Sequence, residues 1–126
     1  MDLTPLIPQG RQIVESYGDG RFRVSGVLHD HSILVFPDRT IDWPITDIRS
    51  LSPESLGAVV TAGETGSINL LLIGCGPRMA MIPAALRASL RAKGVVIETM
   101  DTGAACRTYN VLAAEGRKVA AALIAV

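Results

Sequence analysis

Aromatic side chains are scarce in this chain: two Phe, two Tyr and one Trp among 126 residues. Their scarcity removes the stacking platform on which single-strand nucleic acid binders lay successive bases, so nucleic acid is not an expected partner. Net charge is lacking too. Twelve basic side chains cancel twelve acidic ones, leaving no overall field to gather phosphates or an anionic membrane surface. Two cysteines, Cys75 and Cys106, are too few for a disulfide framework or a Cys-rich metal site, and a reducing compartment fits them. His29 and His31 lie far from both in sequence, so no ligand spacing marks a metal site and no cofactor is expected. Long apolar runs are also missing. Val119 to Val126 falls well short of the ~20 residues of a membrane span, which leaves only peripheral membrane association open. Met1 to Gly10 has no basic end followed by an apolar run, so neither a secretory signal nor a transit segment is expected, and the location is expected to be cytoplasmic.

What the chain does have is aliphatic. Apolar residues make up 48% of it, enough at this length to close a core in one domain spanning residues 1–126. The first half reads as strands and turns. Gln12 to Tyr17 precedes the tight-turn signal Gly18-Asp19-Gly20, after which Phe22 and Val24 alternate with Arg21, Arg23 and Ser25, predicting a hairpin. Val27-Leu28, a polar turn with His29 and His31 in solvent, the run Ile33 to Phe36 and the spaced pair Ile41 and Trp43 continue it as a meander. Phe36 and Trp43 are expected in the core.

Helical signals begin at Ser52-Pro53-Glu54, where Ser52 can cap, Pro53 suits the first turn and Glu54 faces the positive dipole end; the helix is expected to reach about Thr61. Ile68 to Ile73 is almost wholly aliphatic, the pattern of a strand covered on both faces, and is expected at the centre of the sheet. A second helix from Pro83, with Leu86 and Leu90 on one face, stops at Gly94 and leads into the strand Val95 to Met100. Such a unit makes a crossover between parallel strands. Asp101 or Thr102 then caps a last helix expected to run to about Ile124. Its inner face would be Ala105, Tyr109, Leu112, Gly116, Val119 and Leu123, with Gly116 placed in mid-helix for close approach to the sheet. The class is α/β, with an N-terminal β-meander and a strand-helix-strand-helix C-terminal half.

Leu71-Leu72-Ile73-Gly74-Cys75-Gly76-Pro77, then Leu86-Arg87 and Leu90-Arg91 before Gly94, then Asp101-Thr102-Gly103-Ala104-Ala105-Cys106-Arg107-Thr108-Tyr109-Asn110-Val111-Leu112 and Glu115-Gly116-Arg117 resemble a known family. It is the family of the mitochondrial respiratory complex I assembly factor three and its mostly uncharacterised bacterial and archaeal relatives. Gly26, Phe36-Pro37 and Trp43 extend the resemblance over most of the chain. The resemblance implies three layers with a central mixed β-sheet, no established enzymatic activity, and an association with assembly of complex I. Respiratory complex subunits are therefore the implied protein partners. Leu3 to Pro8 and Leu123 to Val126 are apolar stretches that either lie outside the core, as a contact patch, or pack down as a terminal clasp.

Two function classes follow. One is a non-catalytic protein-binding or assembly module. The other is a small-molecule or anion-binding protein, or a thiol enzyme, working in a crevice lined by Gly74, Gly76, Pro77, Asp101, Thr102, Cys106, Arg107 and Asn110. Amides of the loop Gly74 to Pro77 could cradle an anion, although it lacks the Lys and Ser/Thr of a P-loop and the spacing of a dinucleotide fingerprint. Its plainer role is a turn. Cys106, in a helix's first turn beside Arg107, has the setting of a thiolate, and also that of a small buried residue. Asp101 and Thr102 fit capping, and Arg107 and Asn110 fit either the crevice or a solvated helix face.

Overall fold

The computed structural model describes residues 10–126, so Leu3 to Pro8 lies outside the described residues. Strands β1 (Val14–Gly18), β2 (Arg21–Val24) and β3 (Val27–His29) form a three-stranded antiparallel sheet in chain order. The expected hairpin is present: Gly18 pairs with Arg21, and Asp19 and Gly20 between them both take positive φ, as a two-residue hairpin loop of the favoured hand requires. Phe22 and Val24 face inward while Arg21 and Arg23 face solvent.

The meander does not continue as expected. Strands β4 (Ile33–Val35) and β5 (Thr40–Asp42) pair with each other but belong to a second sheet. All three residues of β4 are buried, and a strand covered on both faces cannot extend a sheet that has one face in water. The chain therefore changes sheets at Asp30 and His31.

Ser52 Oγ accepts from the Ser55 amide at 3.2 Å, and a 3-10 turn over Glu54–Leu56 then leads into α1 (Gly57–Glu64). The predicted crossover follows as β6 (Leu70–Gly74), α2 (Ala84–Ala92) and β7 (Val96–Met100), with β6 and β7 parallel and Leu71 opposite Ile97. Helix α2 buries Leu86 and Leu90, as their spacing predicts.

The last expected helix is instead two elements, α3 (Thr102–Ala114) and β8 (Val119–Leu123). Gly116 is not in mid-helix. Its φ is +75°, its amide donates to Ala113 O at 3.0 Å, and the Arg117 amide donates to Leu112 O at 3.0 Å. These paired bonds around a left-handed residue are a Schellman stop, and Gly94 ends α2 in the same way. The second sheet runs β5-β4-β8-β6-β7, so its centre is β8 and not β6. Strand β8 is antiparallel to β4 and parallel to β6.

Three layers result. Leu71, Ile73, Ala120, Ala122 and Ile124 pack on one side with Leu56, Val59, Leu86 and Leu90; Trp43 and Phe36 join this cluster, as expected. Leu72, Val119, Ala121 and Leu123 pack on the other side with Ala105, Tyr109 and Ala113 of α3 and with Phe22 and Val24 of the small sheet. Leu123 and Ile124 are thus core residues, so of the two readings of this stretch the packed-down one holds and the exposed patch does not.

A chain truncated after Lys118 keeps all of α3 and its stop but loses β8. It is expected to lose cooperative thermal unfolding altogether, measured by circular dichroism and calorimetry. Loss of a mere helical extension would leave a sharp transition at a slightly lower temperature.

Candidate functional site

The carboxyl ends of β6, β7 and β8 lie side by side, with Gly74 opposite both Met100 and Leu123. Open α/β sheets usually bind ligands at such an edge. Here the chain fills it. Cys75 N–H donates to Met100 O at 2.8 Å, Ile124 N–H to Gly74 O at 3.0 Å and Thr102 N–H to Gly76 O at 2.8 Å. The Thr102 hydroxyl, fully buried, donates to Ile124 O at 2.7 Å and accepts from Gly76 N–H at 3.0 Å. A Cβ on Gly74 would stand 2.9 Å from Thr102 Cα, so glycine is needed for α3 to start this close to the sheet.

Amides that could have held an anion are therefore already in use. Asp101 caps α3, its carboxylate accepting from Ala104 N–H at 2.9 Å, and it puts a negative charge where an anion would otherwise sit. Gly74, Gly76, Asp101 and Thr102 meet at this one point. Pro77 lies exposed at the start of the loop to α2, while Cys106, Arg107 and Asn110 are turned towards the three-stranded sheet.

Each of those three side chains has a local partner or setting. Asn110 is buried; its Oδ1 accepts from Val14 N–H at 3.0 Å and its Nδ2 donates to Val14 O at 2.8 Å, so a side-chain amide pairs with β1 as a neighbouring strand would. Arg107 Nη1 donates to the Tyr17 hydroxyl at 2.9 Å, and a Cβ on Gly103 would stand only 2.6 Å from that hydroxyl. Cys106 has no exposed surface, and burial pushes its thiol up to about 12 despite the nearby Arg107 guanidinium. At neutral pH it is a protonated core residue. Tyr109 is likewise buried, its phenol raised above the usual range by burial and its hydroxyl donating to Gln12 O at 3.0 Å.

A second constellation was not visible in the sequence. Pairing of β4 with β5 sets Ile33 opposite Asp42 and so brings Asp42 beside His31, with His31 Nε2 3.2 Å from Asp42 Oδ1. His29 joins them, its ring edge-on to that of His31 with centroids 5.9 Å apart. One ligand atom from each of His29, His31 and Asp42 lies within 4.8 Å of the others. Both histidines are half-buried, which corrects their assignment to a solvated turn. His29 also lines a cavity of about 210 Å³ together with Gln12, Val24, Ser25, Val27, Arg39 and Thr40.

A family model described as a protein of unknown function (DUF498/DUF598) matches residues 14–124. An uncharacterised protein of Rhodobacter capsulatus is 37% identical over 112 residues, covering 88% of this chain and 82% of that protein. NADH dehydrogenase (ubiquinone) 1 alpha subcomplex assembly factor 3 of Xenopus tropicalis is 31% identical over 111 residues, covering 88% of this chain but only 60% of that protein. Among solved structures, a Bartonella henselae protein described as an outer membrane protein superposes with a TM-score of 0.85 at 38% identity, covering 93% of this chain and 97% of that one. A Bordetella pertussis protein described as an Mth938-like domain superposes with a TM-score of 0.83 at 30% identity, covering 98% of this chain and 92% of that one.

Two outcomes are expected from this geometry. Thr102→Val keeps the shape but orphans Gly76 N–H and Ile124 O, and is expected to cost about 1–3 kcal/mol per orphaned group in urea denaturation, with Thr102→Ser recovering most of it. The second concerns alkaline pH. Since the folded values of Cys106 and Tyr109 lie above their unfolded ones, the unfolded chain loses its protons first. Stability is intact below about pH 9 and then falls, at most about 1.4 kcal/mol per pH unit for each group. Denaturation midpoints between pH 8 and 11 check this, and Cys106→Ala is expected to remove the thiol's share of the slope.

Proposed function

The chain belongs to the family of proteins of unknown function DUF498/DUF598, and from that membership we propose that it is a non-catalytic assembly module for a membrane respiratory complex of the NADH:quinone oxidoreductase type. The observation that carries this reading is the 31% identity to assembly factor 3 over 88% of the chain. Supporting it, the sheet edge where an α/β enzyme would place its ligand is occupied by the chain's own Thr102 and Gly76. No helix among the described residues is long and apolar enough to cross a membrane.

An assembly module covers apolar surface on an unassembled partner, and its own contact patch needs apolar side chains in solvent. Met79 is 58% exposed and Met81 87% exposed on the loop between β6 and α2. Methionine suits such a tip, because its flexible thioether adapts to an irregular surface. Deleting the gene is expected to lower assembled NADH:quinone oxidoreductase on native gels and to leave free subunits, with rescue by the intact protein. A double Met79→Glu, Met81→Glu variant, folded as judged by its melting curve, is expected to rescue poorly. Normal levels of the complex in the deletion strain would overturn the reading.

A further inference from the structure

We propose that His29, His31 and Asp42 form a binding site for a divalent transition-metal ion, zinc foremost, that bridges the three-stranded sheet to the edge of the five-stranded one. The three residues come from the end of β3, the bend after it and the end of β5. The two histidines stand two residues apart, and the β4–β5 register, with Ile33 opposite Asp42, brings Asp42 to them.

The separations suit the ion. With metal bonds of about 2.0–2.1 Å, ligands on a tetrahedral zinc lie roughly 3.3 Å apart. His31 Nε2 and Asp42 Oδ1 are already 3.2 Å apart, and all three ligand atoms fall within 4.8 Å. Closing the remaining distance takes a rotation of the His29 side chain, which is only half-buried.

The hydrogen bonding around His31 is an independent observation. Its Nδ1 lies 3.0 Å from Ser32 O, and a carbonyl oxygen only accepts, so Nδ1 carries a proton. In the neutral ring Nε2 is then a lone pair, and it is aimed at a carboxylate oxygen. Two acceptors at 3.2 Å repel unless a metal ion or a proton bridges them. Donation of one ring N–H to a backbone carbonyl, with the other nitrogen left bare, is the arrangement that orients a metal-bound imidazole. Ser32 makes a firm anchor: its carbonyl also accepts from Trp43 N–H at 3.0 Å, and its hydroxyl accepts from Ala125 N–H at 3.0 Å.

The donor set narrows the ion. Two imidazoles and a carboxylate suit zinc, iron or nickel far better than magnesium or calcium, which favour oxygen ligands throughout. Asp30 Oδ1, 3.9 Å from His31 Nε2, adds a second negative charge and a further donor within reach. Asp42 is well exposed, so three protein ligands leave coordination positions open to water or to a partner's side chain.

The competing explanation is a second proton on His31, making an ordinary exposed ion pair with Asp42. Titrating the untagged full chain with Zn2+ by calorimetry, and with Co2+ by visible absorption, separates the two. The expected result is about one Zn2+ per chain, a Co2+ spectrum of low-symmetry coordination, and a rise in Tm with added Zn2+. His29→Ala, His31→Ala and Asp42→Asn are each expected to weaken binding about tenfold or more and to abolish the Tm rise. Their metal-free melting curves should stay near that of the parent. Failure to bind either ion at micromolar concentration, or binding that survives His31→Ala unchanged, would overturn the proposal in favour of the proton-bridged pair.

Discussion

Strand β8 has no solvent face, and the rest of the molecule is built around that constraint. All five of its residues are buried: Val119, Ala121 and Leu123 enter one core cluster while Ala120 enters the other along with Ala122. Three consecutive alanines keep the strand thin, so that the α1 and α2 layer and the α3 layer can both approach it. The flanking strands β4 and β6 pair with it on either side, in opposite senses. The knot at Thr102 finishes the arrangement, because Thr102 Oγ1 holds Ile124 O just beyond the strand's end.

Much of this was legible in the sequence. The hairpin at Asp19-Gly20, the capped start at Ser52, the crossover from β6 to β7 and the Asp101 cap follow from local chemistry, and local chemistry decided them. Strand β8 was not legible for a physical reason. Alanine is the strongest helix former, and the intervals from Ala105 to Leu123 suit one continuous helical face. Tertiary burial overrode that propensity. The decisive signal was Glu115-Gly116-Arg117, where glycine supplies the left-handed residue of a helix stop just as Gly94 does after α2.

The candidate site divides along the same line. Sequence placed Gly74, Gly76, Asp101 and Thr102 near one another because they flank consecutive strand ends, and they do meet. Asn110 and Arg107 went elsewhere because their partners, Val14 and Tyr17, lie on a sheet formed far earlier in the chain. The neighbourhood of His31 and Asp42 depends on register between two strands, and no count of intervening residues could have found it. The strand-end edge is thus filled from within, while the exposed Met79 and Met81 sit on the loop between β6 and α2.

The placement of β8 also fixes an order of events during synthesis. The sheet's middle strand follows, in the chain, every other described element that packs against it. A growing polypeptide can therefore complete β4, β6 and both helical layers and still have nothing to put between them. Both apolar faces and two unsatisfied strand edges stay open on the nascent chain until β8 has left the ribosome. Closure of the fold waits for β8, and holdase chaperones have their longest opportunity to act just before it emerges.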